Sequence, residues 1–164
     1  MPDEASPWQL PRSGFVEFPP LSPYVALNGP VYAHVDENDQ LELGFVVQQK
    51  NANLNGDCHG AVLFSLLDSV MGASILYRLE PEYSVATLNL SSNFLGAAKI
   101  GDWLVGRAVV DGCSKSHLFA SGSLSGPGGI IATATGTFSK IRSKSPVTHF
   151  RELVKAVLKP RHPA

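Results

Sequence analysis

Residues 58–77 read CHGAVLFSLLDSVMGASILY, and Asp68 is the only formally charged side chain among them at neutral pH. The run has helical periodicity. Leu63, Leu66, Leu67, Val70, Ser74 and Tyr77 recur at spacings of three and four, which places them on one helix face. Ala61, Ser65, Asp68 and Gly72 lie opposite, all small except the acid. Phe64, Met71 and Ile75 fill one flank, and Val62, Ala73 and Leu76 most of the other. A helix apolar nearly all round is expected to be buried nearly all round. A carboxylate in such a place needs a partner, a shifted pKa or a chemical task. The small residues beside Asp68 would let another backbone approach, so the acid reads as a reactive group at a tight interface.

The same run is about long enough to span a bilayer. It also carries a central Asp, three serines and two glycines. A central Asp is costly in lipid, so the core helix of a globular domain is the expected reading.

Outward from the helix the period changes to two. On the N-terminal side, Val31, Ala33 and Val35 alternate, Glu37-Asn38-Asp39 turns, and Leu41, Leu43, Phe45 and Val47 alternate again, which is a hairpin. An Asn-rich polar loop, 48–57, leads into the helix, and Glu80-Pro81-Glu82 stops it. Beyond the stop, Ala86, Leu88, Leu90 and Phe94 are expected to share one strand face. Further strands follow over 103–111, 117–124 and 130–140, the last with Thr133, Thr135 and Thr137 on one face. Gly96 to Gly101, Gly112 to Lys115 and Ser125 to Gly129 are the links, and their shortness favours antiparallel neighbours. The first two dozen residues hold Pro2, Pro7, Pro11, Pro19, Pro20 and Pro23, which argues against a regular helix or a central strand. Trp8, Phe15, Phe18 and Tyr24 in this arm could dock on the domain. A short amphipathic helix is expected from His149 to Lys159.

This layout of two strands, one helix and four strands gives an α+β class. One sheet face cannot cover a helix that is apolar all round, but a strongly curved antiparallel sheet wrapped around it covers most of it. The remaining face, with Ala61, Asp68 and Gly72, suits a second copy of the chain.

At 164 residues one domain should bury about 68–70% of its unfolded surface. Thirteen basic and fourteen acidic residues give a net charge of −1, so there is no electrostatic footprint for nucleic acid or an anionic membrane. Cys58 and Cys113 are too few for a disulfide framework. MPDEASPWQLPRSG at 1–14 does not read as a signal peptide, so the expectation is a cytoplasmic protein. His34, His59, His117, His149 and His162 show no metal-ligand spacing, and neither a G-x-S-x-G turn nor a phosphate loop is present. Taken alone, Asn53 and Asn55 are also loop formers, Asp57 is most simply a helix N-cap, and Thr87 is a good strand residue. Cys58 reads as a buried, inert thiol.

The run Asn53-Leu54-Asn55-Gly56-Asp57-Cys58-His59-Gly60-Ala61, followed by Asp68, resembles the signature of hotdog-fold acyl-CoA thioesterases. It is closest to the phenylacetyl-CoA (PaaI-like) group, whose pattern is an Asn, a Gly, His-Gly-Gly and a helical Asp or Glu. Ala61 departs from the second Gly, which puts a bulkier acyl group in doubt. The resemblance covers about residues 29–140 and implies a hotdog fold, a curved antiparallel sheet around one long central helix. Residues 1–28 are then a Pro-rich arm and 141–164 a C-terminal appendage.

The resemblance implies these roles. The Gly60 N–H at the helix start polarises the thioester carbonyl. Asp68 is either the general base for water or a nucleophile. Asn53 bonds substrate or water, His59 holds the loop and the thioester side, and Thr87 places water. Gly56, Lys99, Ser114 and Lys115 are the expected substrate-binding residues on the coenzyme A side. No metal and no cofactor is expected, coenzyme A being part of the substrate. Geometry adds one constraint. Gly60 and Asp68 are eight residues apart, about 12 Å along a helix, yet both must lie within about 3 Å of one reacting centre. A catalytic Asp68 therefore predicts a homodimer with shared sites, possibly a dimer of dimers. The alternatives are a non-catalytic acyl-CoA-binding or sensing domain and an enoyl-CoA hydratase or dehydratase of the same fold.

Overall fold

The computed structural model describes residues 11–143 and 150–159. Trp8, His149, His162 and the first prolines of the arm lie outside the described residues. The elements run β1 (Val16–Phe18), α1 (Pro23–Asn28), β2 (Val31–Val35), β3 (Leu41–Val46), a 3-10 turn (Gln49–Asn51), α2 (Gly60–Arg78), β4 (Tyr83–Phe94), β5 (Trp103–Cys113), β6 (His117–Gly126), β7 (Gly129–Arg142) and α3 (Phe150–Leu158). The strands form one antiparallel sheet in the order β1-β2-β3-β5-β6-β7-β4.

The sheet curls around α2, which packs against β3 through β7. Leu67, Met71 and Ile75 are fully enclosed and Leu63, Leu66 and Val70 nearly so. Each such side chain contributes about 1.5–3 kcal/mol by leaving water. Gly106 on β5 lets the helix sit close, because a Cβ there would overlap Val70. α2 is long and apolar enough to cross a membrane, but the chain's own sheet covers its inner face, with Leu63, Leu66, Leu67, Val70, Met71 and Ile75 buried there. The architecture is the expected hotdog arrangement.

Four details differ from the sequence reading. The arm is not devoid of regular structure. Ser22 caps α1 by accepting from the Val25 N–H at 3.2 Å, and Pro23 takes the first helical position, where a missing N–H costs nothing. β1 adds an edge strand to β2. Next, Ala86, Leu88, Leu90 and Phe94 do not share a face. A bulge at Leu88 shifts the register and reverses the alternation, so Val85 and Leu90 both pack on the core while Leu88 is left exposed. The link after β4 is also no hairpin. It crosses from the sheet edge to β5 in the middle, held by the Cys58 N–H on the Ala98 carbonyl (2.7 Å) and the Gly101 N–H on the Val47 carbonyl (2.8 Å). Finally, Asp57 is not the N-cap of α2. His59 is, as its Nδ1 accepts from the Ala61 N–H at 3.0 Å.

The stop at Glu80-Pro81-Glu82 stands, since α2 ends at Arg78 with the Leu79 N–H on the Ile75 carbonyl. α3 lays Phe150, Leu153, Val154 and Val157 against Phe18, Ala33, Leu41 and Tyr77. Its Arg151 pairs with Asp39, which also accepts from the Tyr77 hydroxyl at 2.8 Å. That hydrogen bond holds the Asp39 carboxyl below the usual range; burial opposes it, and the Arg151 charge and hydrogen bond add smaller lowering effects. Burial and the Asp39 contact push the Tyr77 phenol up.

Candidate active site

Two groups of expected site residues sit at two places on α2. The first is the loop before it. Asn51 is buried and fixes the loop base: its Oδ1 accepts from the Gln48 N–H (2.8 Å) and its carbonyl from the His59 N–H (2.8 Å). Asn53 shapes the tip, its Oδ1 accepting from the N–H groups of Asn55 (2.8 Å) and Asp57 (3.2 Å). With the side-chain oxygen committed to the loop, the Nδ2 donors of Asn53 have no protein partner among the described residues. Gly56 closes the tip at φ +80°, a backbone state that disfavours any other L-residue.

The helix start has a matching vacancy. The cap by His59 serves the Ala61 N–H, while the Gly60 N–H has no partner among the described residues. Because Nδ1 accepts that bond, the neutral His59 ring carries its proton on Nε2, on an exposed side chain. A free N–H at the positive end of a nineteen-residue helix suits a developing oxyanion. The Phe94 ring stands beside it, 3.6 Å from where a Gly60 Cβ would be.

The second group is two turns further on. Asp68 accepts a hydrogen bond from the Thr87 hydroxyl at 2.7 Å, across nineteen residues of sequence. Within one chain Asp68 is half-buried rather than closed from solvent, because the chain covers only part of α2's outward face. Ser65, next to it on that face, accepts from the Tyr24 hydroxyl of α1 at 2.8 Å. Asp68 and Thr87 border a cleft of about 310 Å³ that is otherwise largely apolar. The structure thus joins Asp68 to Thr87 and His59 to the first turn of α2 beside Gly60, with Asn53 and Gly56 shaping the loop that leads there. The two groups stay about 12 Å apart along the helix.

Lys99 lies next to the first group, where it pairs with Asp57 and its backbone bridges the same residue. Ser114 and Lys115 form the exposed β5–β6 turn, with the Ser114 N–H on the His117 carbonyl at 2.7 Å. Lys99 precedes β5 and Lys115 follows it, so the eleven residues of β5, roughly 35 Å of strand, separate them. A single chain does not bring them together. Burial raises the Cys58 thiol to about 11, which leaves it protonated and unreactive beside His59. No cluster of three or more metal-ligating side chains is found among the described residues. The sequence does not mark Asn51; it places Ser65 beside Asp68 and offers Tyr24 as a docking residue, as the Tyr24–Ser65 bond bears out, but it gives neither these two nor Phe94 a place at the site. The Asn-rich loop and the small outer face of α2 were visible, but these pairings are long-range.

Comparison with known proteins adds a family. The pattern described as the thioesterase superfamily matches residues 55–125. A Pseudomonas aeruginosa protein named as an esterase is 33% identical over 124 residues, covering 74% of this chain and 92% of that protein. A Ralstonia eutropha thioesterase named as phenylacetic acid degradation-related superposes with a TM-score of 0.65 at 30% identity, covering 72% of this chain and 90% of the other. A Bacillus halodurans protein solved with coenzyme A gives a TM-score of 0.66 at 22% identity over 76% and 82% of the two chains, a likeness of fold.

Proposed function

Because the chain belongs to the thioesterase superfamily and is a thioester hydrolase, we propose that its substrate is an acyl-CoA, cleaved to the free acid and coenzyme A. The observation that carries this reading is the Thr87–Asp68 hydrogen bond, which holds a carboxylate at the mouth of an apolar cleft. Such a cleft suits an acyl group, and a carboxylate on its border is available to attack the carbonyl carbon or to activate water there.

In the proposed reaction, the Gly60 N–H and the first turn of α2 receive the carbonyl oxygen and stabilise the charge it develops. Asp68 either takes a proton from water as it attacks the carbonyl carbon, or attacks itself to give a mixed anhydride that water then opens. Both routes break the C–S bond, and the coenzyme A thiolate leaves and is protonated. Thr87 orients Asp68, and the Nδ2 of Asn53 donates to the carbonyl or to the water. Since Gly60 and Asp68 of one chain cannot reach one carbon, the site combines Gly60 of one protomer with Asp68 of its partner in a symmetric dimer. That pairing would also cover the open part of α2 and could bring Lys99 and Lys115 of different protomers to one nucleotide. His59 caps the helix through Nδ1 and has no acid partner among the described residues, which favours the hydrolase over a hydratase that would pair an acid with it.

The test is thiol release from a panel of acyl-CoA esters by the wild type and by Asp68→Asn. The variant is expected to keep the dimer and coenzyme A binding and to lose at least a hundredfold in kcat. Undiminished hydrolysis by Asp68→Asn would remove Asp68 from the chemistry.

A further inference from the structure

The cleft beside Asp68 has a graded lining. α2 borders it from Ser65 to Leu76. Polar groups gather at the Asp68 end: Ser65, Ser69 and Thr87, with Tyr24 and Asn28 of the arm. The other end is apolar, lined among others by Phe18, Ala33, Leu41, Ala73, Phe150 and Val154. Among all the described residues that line the cleft, Asp68 alone carries a formal charge.

The apolar end is closed by the two terminal segments. Phe18 of β1 and Phe150 of α3 meet with ring centroids 6.0 Å apart, and Val154 is wholly enclosed behind them. Neither segment lies in the 55–125 stretch that matches the superfamily. From Asp68 to Leu76, the last α2 residue in the lining, the helix advances about 12 Å. The cavity volume is near the lower end of the range for small-molecule sites, about 300–1,000 Å³.

We propose that this cleft is the acyl compartment and that the enzyme prefers thioesters of hydrophobic, medium-length acyl groups, with Phe18 and Phe150 as the end wall. The proposal rests on the acyl-CoA reading above and narrows it. A carbonyl at Asp68 sends its chain along α2 toward that wall. An acetyl group leaves the cleft mostly empty, and a long chain meets the two rings. A second carboxylate or a hydroxyl on the chain is stranded among apolar side chains with no partner. Straight aliphatic chains and aryl-alkyl groups share the required chemistry. The arm takes part at the entrance, where the Tyr24–Ser65 bond holds α1 over the outward face of α2.

The experiment measures kcat/KM of the full chain for acetyl-, succinyl-, octanoyl-, phenylacetyl- and palmitoyl-CoA. Octanoyl- or phenylacetyl-CoA is expected to exceed the other three at least tenfold, and their order separates aliphatic from aryl preference. Phe150→Ala should raise the palmitoyl-to-octanoyl ratio at least fivefold, and Ala73→Phe should lower the octanoyl-to-acetyl ratio at least tenfold. The second variant keeps the test sound if the first unfolds. Binding of octanoyl-CoA against coenzyme A alone is measured in parallel on Asp68→Asn protein with and without each change. Turnover with ratios unmoved by both variants overturns the compartment and leaves the function standing. Absent turnover with the binding preference shifted as stated overturns the function and supports the compartment. Neither turnover nor selective binding overturns both.

Discussion

Thr87→Val removes one hydroxyl and little else, so it isolates the contact between β4 and the acid of α2. The bond is 2.7 Å long and its acceptor is a carboxylate. A hydrogen bond to a charged group contributes about 1.5–3 kcal/mol. Asp68 is only half-buried, so water takes up part of the loss, and about 1–1.4 kcal/mol remains for the orientation of the carboxylate. If that loss falls on the transition state, kcat drops roughly five- to tenfold. Thr87 acts through Asp68 and not on the ligand, so KM should stay within about twofold. Val suits a strand as well as Thr does, so the melting temperature should fall by no more than about 2–6 °C, the share of the bond that water does not replace. Thr87→Ser keeps the hydroxyl and should recover most of the lost kcat. The assay is thiol release at saturating acyl-CoA for the wild type and the two variants, each checked by thermal melting. Wild-type kcat in Thr87→Val would refute the reasoning, as would a Thr87→Ser variant as slow as Thr87→Val.

Three further outcomes are expected. Cys113 is exposed and Cys58 buried with its thiol raised to about 11, so a thiol reagent at pH 8 should label Cys113 in the native protein and Cys58 only after unfolding, read by peptide mass. Asp39 is held below its ordinary value of 3.8, so the folded state binds that proton less tightly than the unfolded chain. Its contribution is present above 3.8 and is lost as pH falls through the folded value. The melting temperature of Asp39→Asn should therefore lie below the wild type at pH 7 and converge with it in the acid range. Gly106→Ala forces a Cβ onto Val70 and should cost about 1–3 kcal/mol by overpacking, measured by urea unfolding.

Much of the fold was legible because its signals are local. The spacing of Leu63, Leu66, Leu67 and Val70 is a property of one helix, and the alternation over 31–47 and 130–140 a property of single strands. A helix apolar on nearly every side can be read from twenty residues, and it demands a sheet that wraps. The part played by Asp68 as a candidate acid followed from its isolation in that run. The choice of Thr87, His59 and Asn53 as its companions came from a family resemblance, since no local spacing marks them. His59 and Asp57 show the limit. An Asp is the commoner cap, yet α2 begins at Gly60 and the cap position falls to His59, while Asp57, two residues earlier, pairs with Lys99 from the crossover between β4 and β5.

The rest belongs to contacts that join distant parts of the chain. The bulge at Leu88 is visible only against the register of β7, and the placement of β4 beyond β7 only in the complete sheet. The cleft has its acid from α2, its hydroxyl from β4, its entrance from α1 and its end wall from β1 and α3. Periodicity tells each segment which of its sides must leave water, because that depends on neighbours three, four or two residues away. It cannot tell a segment which partner will cover that side, because burial rewards any apolar surface alike and only the three-dimensional fit of the whole chain selects one.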